Sequence, residues 1–352
     1  MKTTSLLVGS KKGLFILDEG ENHHWKLRGP FLSGKEVNHA IHDPKTKRLY
    51  ATVNDAWFGS EIQWSADHGK TWQSPGKPPL LSAAGEQKIE RLWHIEAGPD
   101  VLYLGVAPAA LFQSADAGDS WSEISSLSQH PTRSRWNPGA GGLCLHSIVL
   151  DAKDPQRLFV GISAAGVFRS DDRGATWRPV NRGTRAEFMP DKLPEVGQCV
   201  HKLLAARDGT LFQQNHCGVY RSVNGGDSWQ EITAGLPSDF GFPMGVHPEN
   251  SKTIYVIPLQ GAEFRCPPEN KLRVFRSRDA GATWTPCATG LPEAPAFSGV
   301  YREAMATDAA RPKAVYFGTN NGKVFGSADE GESWQEVADN LPPVYSLHAF
   351  HA

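Results

Sequence analysis

The sequence predicts an all-β protein: a seven-bladed β-propeller of four-stranded blades, its ring closed by the C-terminal strand completing the N-terminal blade. Three observations predict it. An octapeptide recurs at near-constant spacing, each period holds four β-rich runs, and one strand-like segment is left over at the C-terminus. The octapeptide reads S-x-D/N-x-G-x-S/T-W and occurs as SADHGKTW from Ser65, SADAGDSW from Ser114, SDDRGATW from Ser170, SVNGGDSW from Ser222, SRDAGATW from Ser277 and SADEGESW from Ser327. Successive starts lie 49, 56, 52, 55 and 50 residues apart. Such a period holds about four short strands with their turns.

Taken in order, the N-terminal unit supplies strands B, C and D as TSLLVGS, GLFILDE and HHWKLRG. Its segment GLFILDEGENHHW from Gly13 matches GVFRSDDRGATW from Gly166, with the polar turn residues lost and one insertion. The second unit shows the full set, VNHAIHD, RLYATV, EIQWSAD and TWQSPG, with the octapeptide bridging strands C and D. The later units repeat it. The leftover segment, VYSLHAF from Val344, is an A strand that completes the first blade, so residues 1–352 form one domain. Closing the ring this way removes exposed sheet edges.

Composition bounds the rest. The chain has 352 residues, 39% of them hydrophobic, with 36 Lys plus Arg against 38 Asp plus Glu and a formal charge of −2. No basic surplus asks for nucleic acid or an anionic membrane, so neither is an expected partner; a small-molecule or carbohydrate ligand is expected, and a protein partner stays open. The apolar stretch of MKTTSLLVGSKKGLFIL is broken by Ser10, Lys11 and Lys12, short of a secretory signal, and no window reaches membrane-spanning length. Five cysteines, Cys144, Cys199, Cys217, Cys266 and Cys287, form an odd set without C-x-x-C spacing, which fits reduced thiols and a cytoplasmic location.

The octapeptide explains itself as a turn. Asp67, Asp116, Asp172, Asp279 and Asp329 are placed to accept from turn amides and a Ser/Thr hydroxyl, Gly174 and its counterparts supply a positive φ, and the closing Trp packs against the blades. Asn224 replaces the acid in the fourth copy. A turn tolerates that swap and an acid catalyst does not, so the boxes are read as structural. The motif resembles the Asp-box, or bacterial neuraminidase repeat, of sialidases, xyloglucanases and related propellers. The resemblance implies that the boxes lie on one face of the ring and that ligands sit over the central channel on the other.

On that other face the chain spends its length. Three D–A connections are long (PGKPPLLSAAGEQKIERLW, SQHPTRSRWNPGAGGLCLH and NRGTRAEFMPDKLPEVGQCVH), as is the B–C loop PLQGAEFRCPPENKLRV of blade six. Long loops in a compact repeat fold are functional more often than decorative. Aligning the A strands on their common tails makes Asn38, His94, His146, His201, Phe242 and Arg302 equivalent. His94, His146 and His201 then converge as a three-histidine site for a divalent metal such as zinc, with an open fourth position. The alternative is a set of solvated channel histidines. The candidate catalytic residues are His146, His201, His216, Glu96 and Arg302. Candidate ligand-binding residues are Asn38, Trp57, Trp93, Arg135, Arg185, Glu263 and Arg265, in a lining that also takes in Phe58, Arg133, Trp136, Glu187, Asn215 and Glu303. Aromatic, arginine and carboxylate groups together suit an anionic or sugar-like ligand. Cys217, beside His216, is read as structural.

Resemblance to sialidases implies an arginine cluster, a Tyr nucleophile with a Glu partner and an Asp acid/base. The sequence departs from that scheme: the Phe/Tyr-Arg-Ile-Pro element is absent, seven blades replace six, and no Tyr–Glu pair matches. Xyloglucanases carry two tandem seven-bladed units against one here. Three readings follow: an enzyme, as a glycosidase-like or metal-assisted hydrolase or a lyase; a non-catalytic binding propeller; and an assembly scaffold.

Overall fold

The computed structural model describes residues 3–21, 24–55, 57, 59–82, 88–139 and 141–351. They form seven antiparallel sheets arranged as the blades of a propeller, with almost no helix. The inner strands are Val344–Phe350 in blade one, then Glu36–His42, Arg91–Ala97, Leu145–Leu150, Val200–Ala205, Gly241–Val246 and Met305–Thr307. In blade two the outermost strand is reduced to a single bridge between Trp64 and Gln73.

Closure follows the expected scheme. Val344–Phe350 pairs antiparallel with Ser5–Ser10, with Val8 opposite Leu347 and Ser5 opposite Phe350. The joint is tight at Gly9, where a Cβ would come within 2.3 Å of Ser346 Oγ and 2.7 Å of the Val37 carbonyl. Only glycine lets the first two blades approach so closely.

Each sheet buries both faces against its neighbours, which is why the inner runs read as nearly continuous apolar stretches. The core is therefore a set of inter-blade layers. Ile41, Tyr50 and Ile62 of blade two pack with Leu92, Ile95 and Leu104 of blade three, and Leu6, Val8 and Leu17 of blade one pack with Val315, Phe317 and Val324 of blade seven.

The octapeptide turn behaves as its chemistry demands. In the copy from Ser170, the Asp172 carboxylate accepts from the Thr176 amide at 2.8 Å, its hydroxyl at 2.6 Å and the Ser170 hydroxyl at 2.7 Å. Gly174 sits at φ +90°, and Trp177 is buried in the layer between blades three and four. Asn224 keeps the pattern: its Oδ1 accepts from Ser228 N–H at 3.0 Å and its Nδ2 donates to the Ser228 hydroxyl at 2.9 Å.

One irregularity matters for the site. The register between the first two strands shifts between Val37 and His39, Leu92 and His94, Leu145 and Ser147, Val200 and Lys202, and Gly241 and Met244. The inner strand of blade one shifts likewise between Val344 and Ser346, so a bulge at the same height in six blades re-aims the side chains that face the ring axis.

Candidate functional site at the channel mouth

Contacts between blades that are not neighbours locate the ring axis. Glu303, just ahead of the inner strand of blade seven, reaches Lys202 of blade five (Nζ–Oε2 2.5 Å), His39 of blade two (Nε2–Oε2 3.5 Å) and His94 of blade three (Nδ1–Oε1 3.5 Å). All four are buried, Lys202 at 8% and Glu303 at 5% side-chain exposure. The His39 and His94 rings stack with centroids 4.3 Å apart, and Ile95 N–H donates to His39 Nδ1 at 3.2 Å, which leaves the Nε2 proton facing Glu303.

The charges in this cluster balance. Burial works to raise the Glu303 pKa, yet Lys202 and His94 hold the carboxyl well below its ordinary range. For His94 burial opposes the proton, but Glu303, with Glu96 Oε2 at 3.3 Å, raises it above the ordinary imidazole value. His39 is pushed well down by burial and by His94 and stays neutral. His39, His94 and Glu303 have the composition of a metal site. Lys202 already stands on the carboxylate, so a divalent ion would have to expel a buried ammonium. We read this cluster as the structural floor of the channel.

Above it, on the loop face, lies a second level. Arg302 donates to Ser163 Oγ at 3.3 Å and lies over Trp93 and Phe242, 5.2 and 5.7 Å from the ring centroids. Among the described residues it has no carboxylate partner. Arg265 lies 5.4 Å over the same Phe242 ring. His146 donates its Nε2 proton to the Val200 carbonyl at 2.9 Å. His201 likewise donates Nδ1–H to the Gly241 carbonyl at 2.6 Å and lies edge-on to His216, centroids 5.5 Å apart. Burial, followed by Arg302, pushes both His146 and His201 well below the ordinary imidazole range.

This geometry corrects the alignment of the inner strands. The bulged positions are Asn38, Trp93, His146, His201 and Phe242, so His94 sits one residue past the position it was matched to. The three histidines consequently do not gather: His94 belongs with His39 and Glu303, His201 with Cys199 and His216, and His146 with neither. A one-residue slip moves a side chain to the other face of its strand, which is why common tails misplace it.

The remaining candidates scatter. Asn38 is buried and accepts from Arg91 at 3.2 Å. Trp57 is 90% exposed, while Phe58 lies outside the described residues. Arg135 pairs with Glu195 at 2.5 Å, and Arg185 with Glu231 at 2.7 Å and Glu187 at 3.2 Å, so neither guanidinium is free for a ligand. Trp136 is core, packed on Phe168 and His130, and Arg133 covers it. Glu263 is exposed on the blade-six loop. Glu96 is spent on His94. Cys217 is buried, and burial raises its thiol pKa, as befits an inert cysteine. Lys202 and His39 were missed; the signal was a charged or imidazole residue directly after Asn38 and His201 within otherwise apolar strands. A separate cleft between blades four, five and six, lined by Leu150, Asp151, Phe159, Arg207 and His247, opens on the octapeptide face, away from all these groups.

Comparison with known proteins adds a direction. No family model matches the chain. It is similar to a xyloglucanase of Hypocrea jecorina, 27% identical over 296 residues, covering 77% of this chain and 34% of the relative. A xyloglucanase of Paenibacillus sp is 29% identical over 267 residues, 66% of this chain and 24% of that protein. The chain thus spans about a third or less of the length of these curated relatives. Among solved structures, the GH74 xyloglucanase of Xanthomonas campestris superposes with a TM-score of 0.70 at 17% identity, over 96% of this chain and 53% of that one. The β-propeller fold of this chain is shared with that GH74 enzyme.

Proposed function

We propose that the protein is a carbohydrate-active propeller, glycosidase-like, that takes a sugar bearing an anionic group over the mouth of its axial channel. Arg302 carries the reading. A guanidinium without a carboxylate partner among the described residues, held over Phe242 and the half-buried Trp93 beside Arg265, offers a two-pronged contact to a carboxylate. Similarity to xyloglucanases supports a carbohydrate as the ligand class. A non-catalytic binding role is the second reading, favoured by one observation: the axial carboxylate, Glu303, is held ionised by Lys202 and cannot serve as a proton donor. Glycoside hydrolysis generally needs one carboxyl as acid and another as base or nucleophile.

Calorimetric titration with glucuronate, glucose and a xyloglucan oligosaccharide tests the proposal. Glucuronate is expected to bind, and Arg302→Gln to weaken it by about tenfold or more. Equal binding of glucose and glucuronate, or no effect of Arg302→Gln, rejects the anionic ligand. Release of the aryl group from a chromogenic glucuronide separates hydrolase from binding module.

A further inference from the structure

Blade five brings three ligand-type side chains to one end of one hairpin. Val200 pairs with Asn215, which sets Cys199 opposite His216, and the His216 N–H donates to the Cys199 carbonyl at 2.9 Å. His201 is the bulged residue of the same strand. The ligand atoms of Cys199, His201 and His216 all lie within 4.8 Å of one another. In a tetrahedral zinc site the ligand atoms are about 3.3–3.6 Å apart, so small side-chain rotations close the set.

The surroundings are those of a prepared site. His201 gives its Nδ1 proton to the Gly241 carbonyl, which fixes the tautomer and leaves the Nε2 lone pair for a metal. Its ring stacks on Phe242 at 4.6 Å; both imidazoles meet Phe240 edge-on at 5.1 Å, and Phe188 closes on His216 at 5.2 Å. Neither ring nitrogen of His216 has a hydrogen-bond partner among the described residues. Ala164 is held at φ +64°, a strained position for a residue with a side chain, and burial raises the Cys199 thiol pKa, so the metal itself has to displace the thiol proton. No ammonium or carboxylate belongs to this group, in contrast to the cluster around Glu303.

We propose that Cys199, His201 and His216 bind one zinc ion through a thiolate and two imidazoles, with the fourth position open to the channel mouth. Binding releases the thiol proton to solvent. Two nitrogens, one sulfur and an open position form the kind of set that leaves room for water or for an anionic oxygen of a ligand. The site does not depend on the role given to Arg302, since metal binding is read without any sugar.

The test uses the full chain, stripped with a chelator and titrated with Zn²⁺ against a chromophoric indicator, then with Co²⁺ while the sulfur-to-cobalt charge-transfer band is followed. One zinc per chain that survives gel filtration and a thiolate band with cobalt are expected. Cys199→Ser should abolish the band, His216→Gln should lower zinc affinity about tenfold or more, and Cys266→Ser, a thiol on the blade-six loop, should change neither. Absence of a thiolate band in the unmodified protein overturns the proposal, and so does a band that persists in Cys199→Ser. Because the first criterion needs no variant, a misfolded Cys199→Ser does not blunt the test.

Discussion

Replacing Lys202 by Met probes the floor of the channel most directly. The ammonium stands 2.5 Å from the Glu303 carboxylate, with both groups less than a tenth exposed. At that separation the gross attraction is about 7 kcal/mol in an effective dielectric of about 20. Desolvating two ions offsets most of it, so the measurable quantity is the penalty for leaving one of them alone, about 3–5 kcal/mol for a broken buried pair. With Lys202 gone, the Glu303 carboxylate keeps only the His39 and His94 imidazoles beside it, and its buried charge loses the ammonium that balanced it. Lys202→Met should therefore lower unfolding free energy by about 3–5 kcal/mol. The Lys202→Met/Glu303→Gln double variant buries no unbalanced charge and should recover about 2 kcal/mol of that loss as coupling. Urea denaturation followed by tryptophan fluorescence, at constant slope, gives all four corners of the cycle. A single-variant loss below about 1 kcal/mol, or a coupling below about 0.5 kcal/mol, refutes the assignment of this cluster as a charge-balanced plug.

Stability should fall as pH drops from 7 to 5. Burial holds His39, His146 and His201 well below the ordinary value of 6.5 and His348 at about 4, so the unfolded chain takes up protons that the folded one refuses. Each group contributes at most about 1.4 kcal/mol per pH unit below that value. His94, raised instead, works the other way: its contribution is present below pH 6.5 and is lost as pH rises through its folded value. The net expectation is a loss of up to about 6 kcal/mol between pH 7 and 5, and denaturant midpoints that are flat or rising over this range would contradict it. Asp172→Asn should stay within about 1 kcal/mol of the parent, as the Asn224 turn already shows the swap works, whereas Trp177→Ala should cost about 3–5 kcal/mol; calorimetric melting separates the two. Deleting residues 344–352 strips blade one of its inner strand and reopens a sheet edge, so the truncated chain should melt far lower and aggregate on gel filtration; a normally melting monomer would disprove ring closure by Val344–Phe350.

The ring was legible in the sequence because its determinants are local and repeated. Six octapeptides mark one turn per blade, and the apolar runs between them have nowhere to go but into stacked sheets. The site was harder to read for a specific reason. Placing a side chain at the axis requires the pairing register, and each of six inner strands carries a bulge that no alignment of strand tails reveals. Hence Trp93 was overlooked in favour of its neighbour His94 as the counterpart of His146 and His201. Arg302 was picked out from the same alignment, yet its lack of a carboxylate partner among the described residues is visible only in three dimensions. Buried charge is likewise invisible locally: nothing in VHKLLA says that Lys202 ends against a carboxylate one hundred residues away.

The bulges also explain how one channel carries two chemically distinct levels. In a regular strand consecutive side chains would point to opposite faces of the sheet, but at a bulge both turn toward the axis at different heights. At the bulges each residue of the floor is thus the chain neighbour of a residue at the mouth: His39 follows Asn38, His94 follows Trp93 and Lys202 follows His201; Glu303 follows Arg302 ahead of the unbulged inner strand of blade seven. The ion pair between Lys202 and Glu303 ties together the two segments that present His201 and Arg302 above it. A buried pair adds little net stability against apolar packing, but its geometry is demanding. It fixes the distance between blades five and seven at the height where a ligand would be gripped. The polar floor is therefore understood best through position: it holds the Arg302 guanidinium, two histidines and their aromatic walls in one arrangement, so that the recognition proposed at the mouth would not have to be assembled on binding.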